Sequence, residues 1–263
     1  MAWPISYMKK LTEKKYQIKI IRCLKSLGIK KDDIIFCHSR MFFFDNFNIK
    51  KSQKICEYFL NSFFKILGKN GVFSVPLFTY DHAERKIFDK KKIKTKCGIL
   101  CNHALKKKNI KIYSDPNLAV GIFEKKSFFS NITNYSPYSE NSFFSRLDQK
   151  NAKLCFINIG PTSTFIHYVE KILGVHYRYN KKFKGKIAEN KSSKIFNSYL
   201  FVKKKKYKNL HPKLEFEKII YKSKKLKKKK INGGFISVIS IKDYKNIIKK
   251  TIQNDKNFFI KNY

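Results

Sequence analysis

A short apolar run that leads through a tight turn into an amphipathic helix constrains the fold of this chain more than any other stretch. The run covers residues 154–157 and has the length of a buried strand. Gly160 and Pro161 break it. Three hydroxyl residues that suit helix capping follow the break: Thr162, Ser163 and Thr164. Apolar residues then recur at the helical period, so the stretch 154–173 is predicted to form a strand, a turn and a helix.

Strand-length and helix-period apolar patterns alternate along most of the chain. Helices are predicted at 6–27, 51–67, 98–107, 143–147 and 244–252, and strands at 34–37, 72–77, 110–113, 118–123 and 235–239. Because Pro76 lies within the strand at 72–77, that strand is expected to be an edge strand, to carry a bulge or to end there. The alternation predicts an α/β fold, a layered single domain with a central mixed sheet flanked by helices.

Lysines dominate the later part of the chain, and residues 180–230 are predicted to be less regular for that reason. Two basic runs, 203–206 and 224–230, flank one apparent helix. We expect a single domain over 1–263, with a lysine-rich C-terminal subregion at about 186–263.

The formal net charge of +41 would ordinarily indicate a nucleic-acid partner. Only five of the 59 basic residues are arginines, however, and arginine is the residue that makes bidentate contacts to bases. Lys, Phe, Ile, Asn and Tyr are abundant together, as AT-rich codons would produce. The composition therefore favours genome bias and no specific nucleic-acid partner, although such a field would still attract a coenzyme with several phosphates.

Neither a membrane segment nor a metal site is predicted. No apolar stretch approaches a bilayer span and the N-terminus lacks the pattern of a secretory signal, so a cytoplasmic protein is expected. The six cysteines lack a second pair or a histidine at zinc-finger spacing, which favours buried thiols in a reducing compartment. His82 lies near Asp81 and Glu84 and is expected to be a solvated loop histidine rather than a ligand.

Polar residues with catalytic potential follow the predicted strands and the central turn. His167 and Glu170 are three apart and therefore neighbours on one helical face. A carboxylate orients an imidazole and favours its charged form, which fits a general base but also an ordinary surface pair. Three groups at strand ends are expected to converge on one cleft: His38-Ser39, Thr79-Tyr80 and Ser163-Thr164-His167. Glycine-rich phosphate loops and the G-x-S-x-G elbow of serine hydrolases do not occur.

Several motifs occur together in the order and spacing of one known family. They are FTYD at 78–81, FD at 88–89, T-x-x-G-x-L at 95–100, GPTSTFIHYVE at 160–170 and GVHYRYNKKFKG at 174–185. On these motifs the chain resembles the aminoglycoside 3-N-acetyltransferase family. The segment LGIKKDDIIFCHS at 27–39 is similar to the opening strand of that family, and the resemblance spans nearly the whole chain.

The resemblance implies a single acyltransferase domain that transfers an acetyl group from acetyl-CoA to an amine of an aminoglycoside or related amino sugar, without a metal. It implies that His167 is the general base and that Glu170 orients it. Acyl-CoA would be bound by eight residues: His38, Ser39, Arg40, Met41, Thr79, Tyr80, Ser163 and Thr164. Ser163, Thr164 or a backbone N–H beside them would also stabilise the oxyanion.

One departure from the family concerns the acceptor. Drug-modifying members carry His-Pro-x-His-Ser where this chain has Asp-Pro-Asn-Leu-Ala at 115–119. Asp115 is expected either to hold a cationic or hydroxylated acceptor or to stabilise the turn. Asn117 and Asp81 are the other candidates for acceptor binding. The change favours an amino sugar of a surface-polysaccharide pathway over a drug.

Two other interpretations stay open at this point. The chain could be a basic, non-catalytic protein of the same fold that binds nucleic acid or other anions. It could also be a degenerate family member without activity, although the retained His167 and Glu170 argue against this. The sequence gives no prediction of oligomeric state.

Overall fold

A computed structural model describes the chain at residues 5–41, 49–127, 129–132, 135–190, 192–208, 210–231 and 234–261. The helices are α1 (Ile5–Ser26), α2 (Ile49–Leu67), α3 (Ile99–Leu105), α4 (Phe143–Gln149), α5 (Phe165–Ile172), α6 (Lys213–Lys222) and α7 (Ile241–Asn254). The strands are β1 (Ile34–Ser39), β2 (Val72–Pro76), β3 (Ile87–Phe88), β4 (Lys111–Tyr113), β5 (Val120–Phe123), β6 (Lys153–Ile157), β7 (Arg178–Glu189), β8 (Ser192–Lys203), β9 (Lys227–Ile231) and β10 (Gly234–Ser240).

Seven strands form the main sheet in the order β4-β5-β2-β1-β6-β10-β9. The central strand β1 pairs in parallel with both β2 and β6. The next strands outward, β5 and β10, pair antiparallel with β2 and β6, and β4 and β9 lie at the two edges. The predicted α/β fold with a central mixed sheet flanked by helices is therefore confirmed. Among the described helices, none combines the length and the apolar character that crossing a bilayer requires.

The central strands are apolar on both faces because helices cover both sides of the sheet. Along β1, Ile34 and Phe36 belong to one buried cluster, and Ile35 and Cys37 belong to another. Successive side chains of a strand point to opposite faces, so one strand supplies both clusters. The first cluster includes residues of α4 to α7, and the second includes residues of α1 to α3. This two-sided burial holds the carboxyl end of β1 in a fixed position.

The predicted helices and apolar strands are present, with boundaries that differ by a few residues. β1 continues two residues beyond its apolar run and includes His38 and Ser39. β2 ends at Pro76 and lies inside the sheet between β1 and β5, so it is not an edge strand. Proline ends the strand here because it has no N–H to donate to a neighbour.

The prediction of little regular structure at 180–230 is wrong. β7 and β8 form an antiparallel hairpin of twelve residues a side, and β3 pairs with β7 to make a second, three-stranded sheet. The lysine run at 227–230 is also part of a strand, β9. Lysines at exposed strand positions erase the apolar alternation that normally reveals a strand, because a long stem can lie on the sheet with its charge in water.

The hairpin is joined to the rest of the protein through His82, which the sequence placed in solvent. The structure buries His82 instead, and only 2% of its surface is exposed. Its Nδ1 lies 2.9 Å from the Oγ of Ser198 in β8, and its Nε2 lies 3.2 Å from the carbonyl oxygen of Lys186 in β7. A Cβ at Gly185 would come within 2.4 Å of the imidazole, so only glycine leaves space for this contact.

Candidate active site

Strand pairing brings two of the predicted site residues together. β1 and β6 run in parallel with His38 opposite Phe156, so His38 reaches the turn that connects β6 to α5. Its Nε2 lies 2.8 Å from Ser163 Oγ, across 125 residues of sequence. The imidazole stacks on Phe156 with ring centroids 5.6 Å apart, and it meets Phe36 edge-on at 4.7 Å. The two rings fix the orientation of His38 toward the start of α5.

The start of α5 is held mainly by Ser163. Its Oγ accepts a hydrogen bond from the N–H of Phe165 at 3.3 Å, and its own N–H donates to the Tyr244 hydroxyl at 3.0 Å. Thr164 occupies the cap position without a side-chain hydrogen bond to the backbone. Thr162 instead bonds the Glu217 carboxylate at 3.0 Å. Of the three predicted capping residues, Ser163 therefore makes the capping contact.

Burial lowers the pKa of His38 from 6.5 to about 4, so this imidazole is neutral near pH 7. Between these two values the unfolded chain binds more protons than the folded one. The contribution of His38 to the free energy of unfolding is therefore fully present above pH 6.5 and is lost as the pH falls toward 4.

We expect His38→Gln to reduce the pH dependence of stability. A glutamine does not titrate, so the free energy of unfolding should drop by about 2 kcal/mol less between pH 7 and pH 5 than in the wild type. Urea denaturation at the two pH values measures the difference. His176→Gln, at an exposed histidine, is the matched control. Equal drops in wild type and His38→Gln would contradict the buried, neutral state of His38.

His167 and Glu170 form the second part of the site. Their side chains meet on α5, with Nδ1 of His167 2.7 Å from Oε2 of Glu170. The Tyr177 hydroxyl donates to Oε1 at 2.9 Å, and Arg178 Nε lies 2.7 Å from Oε2. The Glu170 side chain is 1% exposed, whereas that of His167 is 32% exposed. The carboxylate is thus buried beneath an imidazole that solutes can reach.

The charges around this pair keep the carboxylate ionised and the imidazole neutral. Burial alone would raise the pKa of Glu170, but hydrogen bonds and charges from His167, Arg178 and Tyr177 hold it below its usual value. Burial and the nearby Arg178 charge lower the pKa of His167, although Glu170 opposes them. Because Nδ1 donates its proton to Glu170, the lone pair of the neutral ring is on Nε2. A base with an ionised orienting group is therefore ready at neutral pH.

Three residues that support this pair were missed by sequence reasoning. Tyr138 meets the His167 ring edge-on, with centroids 6.0 Å apart and an interplanar angle of 90°. Tyr177 and Arg178 lie within the motif GVHYRYNKKFKG, so a signal existed for both, but no role was assigned to them. Tyr138 lies in a serine- and asparagine-rich loop, where no pattern distinguishes it.

The remaining coenzyme candidates lie at the ends of β1 and β2. Ser39 has a buried hydroxyl without a hydrogen-bond partner within the described part of the chain. Arg40 is exposed and Met41 is buried in the core. Thr79 Oγ1 donates to the carbonyl oxygen of Pro116 at 2.9 Å. Tyr80 is 43% exposed and has a positive φ of 57°.

Asp115 and Asn117 are fully buried and shape the turn at 115–118. Asp115 Oδ1 accepts from the N–H groups of Asn117 at 2.9 Å and Leu118 at 2.8 Å. Burial raises its pKa to about 7. Asn117 donates from Nδ2 to Ser198 Oγ at 3.1 Å and accepts from the Ala83 N–H at 3.0 Å. These contacts agree with the turn alternative for Asp115, and none of them reaches His167.

Asp81, the third acceptor candidate, is half-buried next to this turn. Its N–H donates to the carbonyl oxygen of Pro116 at 3.1 Å. Burial raises the pKa of its carboxyl. Within the residues that the structure describes, no group of three or more His, Cys, Asp or Glu side chains could hold a metal ion.

Comparison with known proteins gives one family and one fold. The sequence profile of the family described as aminoglycoside 3-N-acetyltransferase matches residues 38–253. A search of curated protein sequences gives no match.

Solved structures similar to this one include the AAC-IIIb binary complex with CoASH, at 13% identity and a TM-score of 0.75, covering 94% of this chain and 98% of that one. AAC-VIa bound to sisomicin is 11% identical with a TM-score of 0.74, covering 90% and 97%. The YokD protein from Bacillus subtilis is 14% identical with a TM-score of 0.71, covering 94% and 96%. At these identities the structures show a shared fold.

Proposed function

The chain belongs to the aminoglycoside 3-N-acetyltransferase family, and from that membership we propose that it acetylates an amino group of an aminoglycoside or related amino sugar by general-base catalysis. Membership makes it an acyltransferase, and acetyl-CoA is the donor that we propose. The observation that carries the catalytic part is the neutral, partly exposed imidazole of His167 on the buried Glu170 carboxylate.

His167 would act on the acceptor amine. A protonated amine has no lone pair, so the acceptor must lose a proton before or while it attacks the thioester carbonyl. The Nε2 lone pair of His167 would take that proton, and the imidazolium would be stabilised by Glu170. Attack forms a C–N bond and a tetrahedral oxyanion. As the oxyanion collapses, the C–S bond breaks, the attacking nitrogen loses its second proton, and a proton passes to the departing sulfur, so that the coenzyme leaves as its thiol.

Glu170 would work through His167 rather than on the substrates. Its contact with Nδ1 selects the tautomer with the lone pair on Nε2, and its charge compensates the proton that the ring gains. Tyr177 and Arg178 hold the carboxylate in place, so they would fix the geometry of the base indirectly.

The donor would bind where β1 and β2 end, beside the start of α5. His38 and Ser163 are joined there, and the exposed Tyr80 lies at the same edge of the sheet after β2. In α/β folds such strand ends are the usual ligand site. The bound CoASH of the AAC-IIIb structure, which has this fold, also supports a CoA thioester as the donor. The Thr164 hydroxyl, which makes no capping hydrogen bond at the start of α5, is suited to stabilise the oxyanion.

Thiol release from acetyl-CoA tests this function directly. Purified protein would be given acetyl-CoA with two acceptor panels, one of aminoglycosides such as gentamicin and sisomicin and one of amino sugars and their phosphates. We expect thiol release that depends on the acceptor. Absence of acceptor-dependent release from every member of both panels, with acetyl-CoA binding intact, would contradict the proposal.

A further inference from the structure

A small open cavity lies beside His167. Its volume is about 90 Å³. Its lining includes charged and aromatic side chains from α5, β7, β8 and α6, namely His167, Glu170, Arg178, Lys203, Lys213 and Phe216. Pockets for drug-sized ligands measure about 300–1,000 Å³. This cavity therefore holds one small group of a substrate and not a whole multi-ring sugar.

Positive charge dominates the cavity. Three cationic side chains line it, from Arg178, Lys203 and Lys213, against one carboxylate, that of Glu170. That carboxylate is already hydrogen-bonded to His167 and Tyr177 and forms an ion pair with Arg178. Another acid, Glu217, has its Oε1 3.9 Å from Lys213 Nζ and also accepts from Thr162. The cavity is thus left with an excess of cations.

Lys203 shows most clearly that this excess is built into the fold. Its Nζ donates to the carbonyl oxygens of Leu210 and Phe259, the latter at 2.8 Å, and these neutral acceptors cannot cancel its charge. Burial and the Arg178 charge lower the pKa of Lys203 to about 8, so the amine stays mostly protonated at pH 7. The pKa of His211, which also lines the cavity, is lowered by burial and by Lys203.

We propose that this cavity binds a phosphate group of the acceptor, and that the acceptor class is therefore a phosphorylated amino sugar rather than a polycationic drug. This inference rests on the proposed function, because it takes His167 as the base that the acceptor amine must reach. A phosphate suits the two ammonium groups of Lys203 and Lys213 in a small space. A polycation would meet the same charges as repulsion.

The other source of phosphate is the coenzyme, and the residues that line the cavity distinguish the two. Ile166 and Glu170 are one turn apart and line the cavity. Ser163 is one turn before His167 and faces His38. None of the eight residues expected to bind acyl-CoA lines the cavity, so a phosphate in the cavity would contact a different set of residues from those proposed for the donor.

The positive field would also assist the chemistry. A cationic surrounding disfavours the ammonium form of the acceptor and so lowers its pKa. An amino sugar held by its phosphate would present more of its free amine to His167. The phosphate would then serve as the anchor of the acceptor.

A matched pair of ligands tests the inference: glucosamine 6-phosphate and glucosamine, which differ only in the phosphate. Calorimetry would measure their binding to the full chain, and steady-state thiol release would give KM for each and for acetyl-CoA. Gentamicin is the polycationic comparison. The variants are Lys203→Met and Lys213→Met, which keep an apolar stem. Lys218→Met, on the exposed face of the same helix α6, is the control.

We expect wild type to bind glucosamine 6-phosphate at least tenfold more tightly than glucosamine. Lys213→Met should weaken the binding of glucosamine 6-phosphate about fivefold, because the Lys213 side chain is half exposed. Lys203→Met should weaken the same binding about tenfold or more. The affinity for glucosamine and the KM for acetyl-CoA should be unchanged in both variants. Lys218→Met should bind all ligands as the wild type does. Lys213→Met keeps the test decisive if Lys203→Met does not fold.

The two proposals fail in different ways. Phosphate-dependent binding that Lys213→Met weakens, without thiol release from any acceptor of either panel, would overturn the proposed function and support the anion site. Acceptor-dependent thiol release with equal affinity for the two ligands would overturn the anion site and support the proposed function. An increase in KM for acetyl-CoA alone in Lys213→Met, or a preference for gentamicin, would also overturn the acceptor assignment.

Discussion

His167→Ala is expected to lower acceptor-dependent thiol release by about 10²–10⁴-fold, the range that a positioned general base contributes. The loss should be in kcat, because the imidazole is needed when the amine attacks and not when acetyl-CoA binds. The side chain is partly exposed on α5, so its removal leaves the core intact. Steady-state kinetics with saturating acetyl-CoA would measure the effect.

The control for this change is another histidine that pairs with a glutamate. His103→Ala removes an imidazole whose Nε2 lies 2.7 Å from Glu57, on α3 and outside the proposed site. It should leave kcat within about twofold of wild type, because surface ion pairs contribute little. Circular dichroism and acetyl-CoA affinity should be unchanged in both variants. If His167→Ala kept more than a few per cent of wild-type activity, His167 would not be the base.

Glu170→Gln is expected to reduce both stability and rate. The glutamine fits the same space, but Arg178 loses the carboxylate that balances it in a buried site. Breaking a buried ion pair typically costs about 3–5 kcal/mol, which urea denaturation would detect. The rate should fall less than in His167→Ala, because the base is still present but is no longer held in one tautomer.

The pH profile separates the electrostatic role of Glu170 from a purely structural one. The base must be neutral, so kcat/KM falls as the pH drops through the pKa of His167. Glu170 raises that pKa, against burial and Arg178, which lower it. Its removal should therefore move the acidic limb of the profile to lower pH. Glu215→Gln, on the surface of α6, should leave the limb in place. A shift toward higher pH in Glu170→Gln would contradict the assigned charges.

The layered fold and the pairing of His38 with the start of α5 followed from local sequence patterns. Apolar runs of strand length fix a central sheet, and the carboxyl ends of its parallel strands must lie at one edge. His38 and Ser163 were therefore placed near each other without knowledge of any long-range contact. The spacing of His167 and Glu170 on one helix was similarly sufficient to place their side chains together.

The features that could not be predicted depend on how separate elements pack together. Tyr177 and Arg178 lie within a recognised motif, but the motif does not indicate that both will contact Glu170 from beyond the end of α5. Burial of His82 requires the hairpin of β7 and β8, whose lysines conceal its strands. The charge of the cavity beside His167 likewise arises only where β7, β8 and α6 meet.

The lysines of β9 have a consequence for how this chain behaves beside other copies of itself. β9 ends the main sheet and presents four consecutive exposed lysines along that border. A sheet border exposes unpaired N–H and C=O groups, which template the addition of a further strand. A second molecule that docked β9 against β9 would align four lysines with four lysines, and directly opposed like charges destabilise such a pair. The four lysines of β9 therefore disfavour edge-to-edge association between copies of this protein.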